Sequence, residues 1–473
     1  MLDDRLTHVP PKPLVRRLGV LGVLFLTLSV TTPASSVFVI VPGMLQSAGT
    51  GTVWALLIAG VICIATAYVY AELSSAWPVA GGEYVMVAHT LGPGAGFVML
   101  GINLVNNLLF PPVAALGVSA MLASVVPGLP TISTAIVVLV GATAVSILNI
   151  RVNAWLTGIF LLVELAALAV VAWLGFGDIG QPLLQMLTNP VSASGGGLEP
   201  ASAASIGVAT TIGIFALNGY GAAVYFGEEM HEAPRLIART ILMAVVLALV
   251  SISIPVIAAL VGAPDLSALL NSDDPFGMLV SLRGGGEMAA AVAVGVVIAI
   301  VNAVIACILA TARFFYGTAR DRSWGQPLDL WMAAIHPRHG SPWLGTLLIG
   351  VFTIGCCFVP LTFLLVLSGA GLVAIYAGIA VAVMVGRRSG KTGTTGYRMP
   401  LYPIAPVVTL VALVYVVWTS WLDLDEGRPG LIVTGLQILL AAAYYRFVLR
   451  RRGEWTVQIP DCPNPAHQGS SHR

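Results

Sequence analysis

The chain has 473 residues, 58% hydrophobic and 9% charged, with a mean hydropathy of +0.93 and a formal net charge of +1. A soluble domain carries about 25% charged residues, so this composition excludes a water-solvated globular protein and describes one built for lipid. The near-neutral charge gives no basis for nucleic-acid binding, and Cys63, Cys307, Cys356, Cys357 and Cys462 lack CxxC or His-interleaved spacing, so they read as small apolar fillers rather than metal ligands or disulfides.

Windows of about 20 apolar residues predict twelve membrane spans. They run over 18–45, 52–76, 95–125, 131–149, 153–176, 203–226, 236–262, 286–316, 342–360, 362–386, 401–422 and 430–450. Short tails, 1–17 and 451–473, flank them. Arg16 and Arg17 ahead of an apolar run resemble a secretory signal, but the run continues to Leu45 without an A-x-A site, so an uncleaved first span is expected.

The first span is interrupted by TTPASS at Thr31–Ser36. A half-helix that starts after a break presents unpaired N–H groups and a positive dipole end, which suits a carboxylate. Thr32, Ala34, Ser35 and Ser36 are therefore candidates for binding a substrate carboxylate, through backbone N–H groups and hydroxyls. The alternative is that Pro33 only kinks the span and the serines bond back to preceding carbonyls.

In the third span, Asn103, Asn106 and Asn107 stand at i, i+3 and i+4 and share a helical face. That face either lines a pocket, for which Asn103 and Asn106 are the candidates, or ties helices together by hydrogen bonds. The fifth span holds Glu164, the carboxylate well inside an apolar run, LLVELAALAVV. Burying it ionised costs about 2.5–3.5 kcal/mol on insertion scales. Desolvation favours its neutral form, so it is a candidate proton carrier, or else a protonated structural Glu.

The sixth span carries FALNGYGAAVY at Phe215–Tyr225. Two glycines within three residues weaken the hydrogen-bond ladder where water cannot repair it, so a second break is expected around Asn218, Gly219 and Tyr220. Free backbone groups in hydrocarbon survive only where protein, a water-filled cavity or a ligand satisfies them. Carbonyls near Phe215 and Ala216 can face an ammonium group, and Phe215 or Tyr220 can either close over a substrate or simply pack. Two broken spans in corresponding places point to a transporter site. In the eighth span Asn302 is as ambiguous as the third-span asparagines, and Thr311 is the sole aliphatic hydroxyl from Met288 to Tyr316, which disfavours a sodium site.

Short cytoplasmic loops retain Lys and Arg. With the N-terminus inside, twenty of the twenty-two basic residues are cytoplasmic and only Arg283 and Arg428 lie outside, against nine acids there. Both termini are therefore expected in the cytoplasm and the protein in the plasma membrane. Glu72, Glu228, Glu229, Arg313 and Arg320 fall on the cytoplasmic side, where opposite charges form either a gate or a solvated surface. Five spans before the second break and five from it onward allow a five-plus-five inverted repeat, 18–176 and 203–386, with 401–450 added.

Three stretches carry a family resemblance. ELSSAWPVAGGEYV at Glu72–Val85, FALNGYGAAVYFGEEMHEAPR at Phe215–Arg235 and ARFFYGTARD at Ala312–Asp321 resemble the corresponding parts of amino acid/polyamine/organocation permeases. The resemblance covers the order and spacing of spans one to ten. It implies an all-α polytopic protein with the leucine-transporter-type fold, broken helices 1 and 6, and secondary transport of an amino acid or related amine. TTPASS stands where that family usually has a Gly-Ser-Gly-like signature. Family position favours Glu228 and Arg313 as gate residues. Some members are thought to couple through a Lys in the fifth span, but Lys12 and Lys391 lie outside the spans here.

The leading expectation is a proton-coupled or exchanging permease, with a small amino acid or amine and the lipid bilayer as its partners, no cofactor or metal, and no obligatory protein partner. A polyamine or cationic-amine exchanger is the variant, and it needs a pocket carboxylate. An intramembrane enzyme lacks support: HExxH, GxSxG and paired aspartates within a span are absent, and His231 and Glu232 lie in a loop. A channel lacks rings of pore-lining charge.

Overall fold

The computed structural model describes residues 13–125, 128–194, 197–361, 363, 364, 367, 370–392, 396–453 and 455–459. Residues 1–12 and 460–473 of the tails, with Arg5, Lys12, Cys462 and Arg473, lie outside the described residues, as do 362, 365, 366, 368 and 369 of the tenth predicted span.

Among the described residues the fold is helical apart from one hairpin, Val191–Ser194 paired antiparallel with Gly197–Pro200. In hydrocarbon a helix satisfies its own backbone, so long apolar runs have no other economical conformation. Nine helical runs among the described residues are long and apolar enough to cross a membrane, and Thr131–Ser146 and Trp343–Cys356 are shorter apolar helices. One of the nine, Val20–Ala76, has 57 residues. A single crossing needs about 20, so this run has length for two. It turns at Gly49–Gly51, where the Thr50 hydroxyl accepts the Val191 N–H at 2.9 Å and docks the hairpin on the turn.

Helix starts follow their sequence signals. Asn149 caps Ile150–Phe176 by accepting the Arg151 N–H, and Ser202 caps Ala203–Ala216 by accepting the Ser205 N–H. Asp265 and Asp274 do the same for the short helices Leu266–Leu270 and Pro275–Gly284.

The helix Gly286–Arg320 is buried over most of its length, whereas Ile404–Leu422 and Gly427–Tyr444 expose Val411, Val414, Trp418, Leu439 and Leu440. An apolar outer surface around an apolar core is the pattern lipid selects. Water offers no contrast to drive the packing there, so the helices approach through small residues. At Gly175 a Cβ would meet the Ala258 carbonyl oxygen at 2.3 Å, so only glycine permits that approach.

Candidate functional site

Both interruptions expected from the sequence are real breaks, and they meet. Helix Val20–Thr31 stops at Thr32, whose φ of 42° places it in the left-handed region. A threonine there is strained, and such strain persists only where the surroundings enforce it. Pro33 then lacks an N–H to continue the ladder. The chain restarts as one turn, Pro33–Ser35, followed by a π-helical turn, Ser36–Ile40.

In the second break, helix Ala203–Ala216 ends, Gly219 takes φ 119°, and the chain continues as a 3-10 helix, Tyr220–Glu229. Runs of this kind longer than about four residues are uncommon, and they often mark a hinge. A Cβ on Gly219 would lie 2.6 Å from Thr31 Cα, so the glycine lets one break rest on the other. The Ser36 hydroxyl donates to Ala216 O at 2.8 Å across the same contact. The carbonyl expected to face a substrate ammonium is thus occupied, and Ser36 bonds mainly across the junction rather than back along its own helix.

The N–H expected to face a substrate carboxylate is also occupied. Ala34 N donates to Glu164 Oε1 at 2.7 Å, and the Thr32 hydroxyl donates to the same oxygen at 3.3 Å. Glu164 is fully buried, and its Oε2 has no hydrogen-bond partner among the described residues. An acid on the fifth-span helix therefore reaches the first-span break and fills its anion seat.

Asn302 Nδ2 donates to Ser29 Oγ at 2.8 Å and to Thr157 O at 3.2 Å, tying its helix to the first- and fifth-span helices. Asn218 Oδ1 accepts the Tyr376 hydroxyl at 2.7 Å. Tyr220 is buried with its ring 6.1 Å from that of Tyr70 and 6.4 Å from that of Tyr376. Phe215 is half-buried against the core, and Ser35 is likewise half-buried.

Several charged residues form buried ion pairs. Arg313 Nε donates to Glu229 Oε2 at 2.7 Å with both side chains buried. Arg320 pairs with Glu228, which also accepts the Ala80 N–H at 2.9 Å, and Arg387 Nε donates to Glu72 Oε1 at 2.7 Å. Arg313 therefore takes Glu229, and the adjacent Glu228 takes Arg320. The strand entering the first helix is strapped to the same place, with Arg17 N and Leu18 N donating to Glu229 O at 2.8 and 2.9 Å and His231 N to Leu18 O at 2.9 Å.

A family model described as amino acid permease matches residues 18–442, which span both breaks and these ion pairs. The chain belongs to the amino acid permease family. The permease is 27% identical over 340 residues to an uncharacterized transporter of Mycobacterium tuberculosis, covering 72% of this chain and 73% of the relative. It is 24% identical over 381 residues to a methylthioribose transporter of Bacillus subtilis, covering 75% and 77%. Over 372 residues it is 24% identical to the chloroplastic cationic amino acid transporter 7 of Arabidopsis thaliana, covering 75% and 62%. It is a multi-pass membrane transporter.

The permease holds one buried acid that hydropathy concealed. Glu83 starts the helix Glu83–Leu91 and is 4% exposed. Its Oε1 accepts the Tyr70 hydroxyl at 2.9 Å, and its Oε2 accepts Asn103 Nδ2 at 2.9 Å and the Tyr225 hydroxyl at 2.8 Å. Asn103 thus reaches a carboxylate rather than either break. Asn107 donates to Asn103 O and to the Tyr225 hydroxyl, while Asn106 is half-buried on the side facing Gly371. Glu83 lies inside the AGGEYV stretch, where the polar loop around it suggests exposure; the adjoining glycines, which let other chains approach, were the available signal.

Proposed function

We propose that this permease is a secondary transporter moving an amino acid or related amine across the plasma membrane by alternating access, with a proton as the coupling ion. The reading includes twelve crossings with both termini cytoplasmic, a five-plus-five inverted repeat over 18–176 and 203–386, and the segment 401–450 as an addition. It treats the ion pairs Arg313–Glu229, Arg320–Glu228 and Arg387–Glu72 as the closed cytoplasmic gate.

The observation that carries it is the Glu164 carboxylate on the Ala34 N–H, at the junction of two broken helices. A substrate carboxylate and an ionised Glu164 are competitors for one donor. Protonating Glu164 replaces a charge-assisted hydrogen bond by a weaker neutral one, so the Ala34 N–H and the Thr32 hydroxyl become available to the substrate beside Ser35 and Ser36. Proton loading and substrate loading then favour each other, which is the reciprocity symport requires. The substrate ammonium in turn displaces Ser36 from the Ala216 carbonyl, and Asn218, Gly219 and Tyr220 close around it. The relatives' names, one for methylthioribose and one for cationic amino acids, agree on a small polar solute.

Uptake of labelled amino acids into proteoliposomes, with and without an inwardly directed proton gradient, tests the proposal. Accumulation driven by the gradient is expected. Absence of uptake for every amino acid and amine tried, or uptake indifferent to the gradient, contradicts the transport or the coupling part respectively.

A further inference from the structure

We propose that Glu83 and Asn103 form a subsite for a second nitrogen cation, the side-chain ammonium or guanidinium of the transported solute as distinct from the ammonium placed at Ala216, an assignment that rests on the permease reading above. The starting point is a difference among buried acids. Glu72, Glu228, Glu229 and Asp321 each face an arginine, whereas among the described residues Glu83, like Glu164, is met only by neutral donors. A carboxylate withdrawn from water is normally paired with a cation, because neutral hydrogen bonds return less than its desolvation costs.

Asn103 supplies an independent observation. Its Nδ2 must face the carboxylate, which fixes the orientation of the amide. Its Oδ1 is then left buried and without a donor among the described residues. A buried carboxyl group without a cation and an unmet carbonyl oxygen side by side suit a ligand with several N–H donors and a positive charge. A bare metal ion suits the place badly, since three donor hydrogens already point at the carboxylate.

The surroundings suit the same ligand. The Tyr70 ring stands edge-on to Tyr220 at 6.1 Å and to Tyr376 at 6.0 Å, and aromatic faces attract cations. Tyr376 also holds Asn218 at the second break, so one chain of contacts, Asn218 to Tyr376 to Tyr70 to Glu83, joins the break to the acid. Tyr225 sits on the 3-10 half of the sixth span. When that half moves, its hydroxyl leaves Glu83 and the N–H groups of the solute replace it. The neutral donors are placeholders for the cation.

Arginine and citrulline have nearly the same shape and differ by the charge of the terminal group, so the wild-type protein in proteoliposomes at fixed pH is tested with each as competitor for the other's uptake. Arginine is expected to bind about tenfold more tightly than citrulline, and Glu83→Gln to bring the two within about twofold. Glu83→Asp, which keeps the charge, is expected to retain the preference, separating loss of the cation site from loss of the fold. Equal competition by the two solutes in wild type, or an undiminished arginine preference in Glu83→Gln, overturns the subsite while leaving the permease reading intact. The wild-type comparison decides the matter even if the Gln variant does not fold. Failure of wild type to take up either solute or any other amino acid or amine overturns the permease reading and the subsite with it.

Discussion

Glu164 Oε1 lies 2.7 Å from Ala34 N, so a side chain on one helix completes the backbone of another at the point where that helix is broken. The bond explains how an interrupted span is tolerated in a water-poor interior. It also means the junction of the two breaks is held by a bond that protonation of Glu164 weakens.

Gly219→Ala should destabilise the junction of the two breaks. The added Cβ meets Thr31 Cα and N within 2.7 Å, and φ 119° is unfavourable for any residue with a Cβ. A cost of about 1–3 kcal/mol is expected, read as a lower melting temperature in detergent together with loss of uptake. Gly141→Ala is the control, because nothing lies within 4 Å of the new Cβ and its helical backbone is ordinary; it should be neutral or slightly stabilising.

Arg313→Met should destabilise by about 3–5 kcal/mol, since it leaves Glu229 buried without its cation. The double variant Arg313→Met with Glu229→Gln should recover most of that loss. Thermal unfolding of the two variants against wild type checks this, and equal destabilisation of single and double variants would show that the pair is not the source of the effect.

How far these relationships were legible in the sequence follows from their range. Thr31–Ser36 and Asn218–Gly221 stood out because Pro, Gly and Asn inside an apolar run act locally on the ladder. Glu164 stood out as a solitary acid in its span. Which acid Arg313 meets was not legible, because Glu228 and Glu229 are adjacent and each takes a different arginine. Arg387 lies 315 positions from Glu72, and neither residue's surroundings hint at the other. Glu83 was hidden because its burial depends on Tyr70, Asn103 and Tyr225, which come from three other segments.

Asp321, just beyond the Gly286–Arg320 helix, accepts the Tyr84 hydroxyl at 2.8 Å and the Gln458 N–H at 3.0 Å. Burial pushes its carboxyl up to about 6 despite the nearby Arg320 guanidinium, which pulls the other way. An acid with a raised value in the folded state binds its proton more readily there than in the unfolded chain. Its contribution to stability is therefore full below about pH 4 and is lost as pH rises toward about 6. Asp321→Asn should flatten that part of the melting-temperature profile; parallel profiles for the two proteins would exclude the effect.

The most direct test of the central claim is the number of protons taken up when substrate binds, measured with pH indicators in weakly buffered detergent solution at several pH values from neutral upward. At the pH where Glu164 is ionised before binding, wild type should take up as much as one proton per substrate bound, because the substrate carboxylate displaces Glu164 from the Ala34 N–H and an acid without that bond holds its proton more tightly. Glu164→Gln should take up none. Binding of substrate by wild type without proton uptake, or equal uptake in both proteins, would contradict the account.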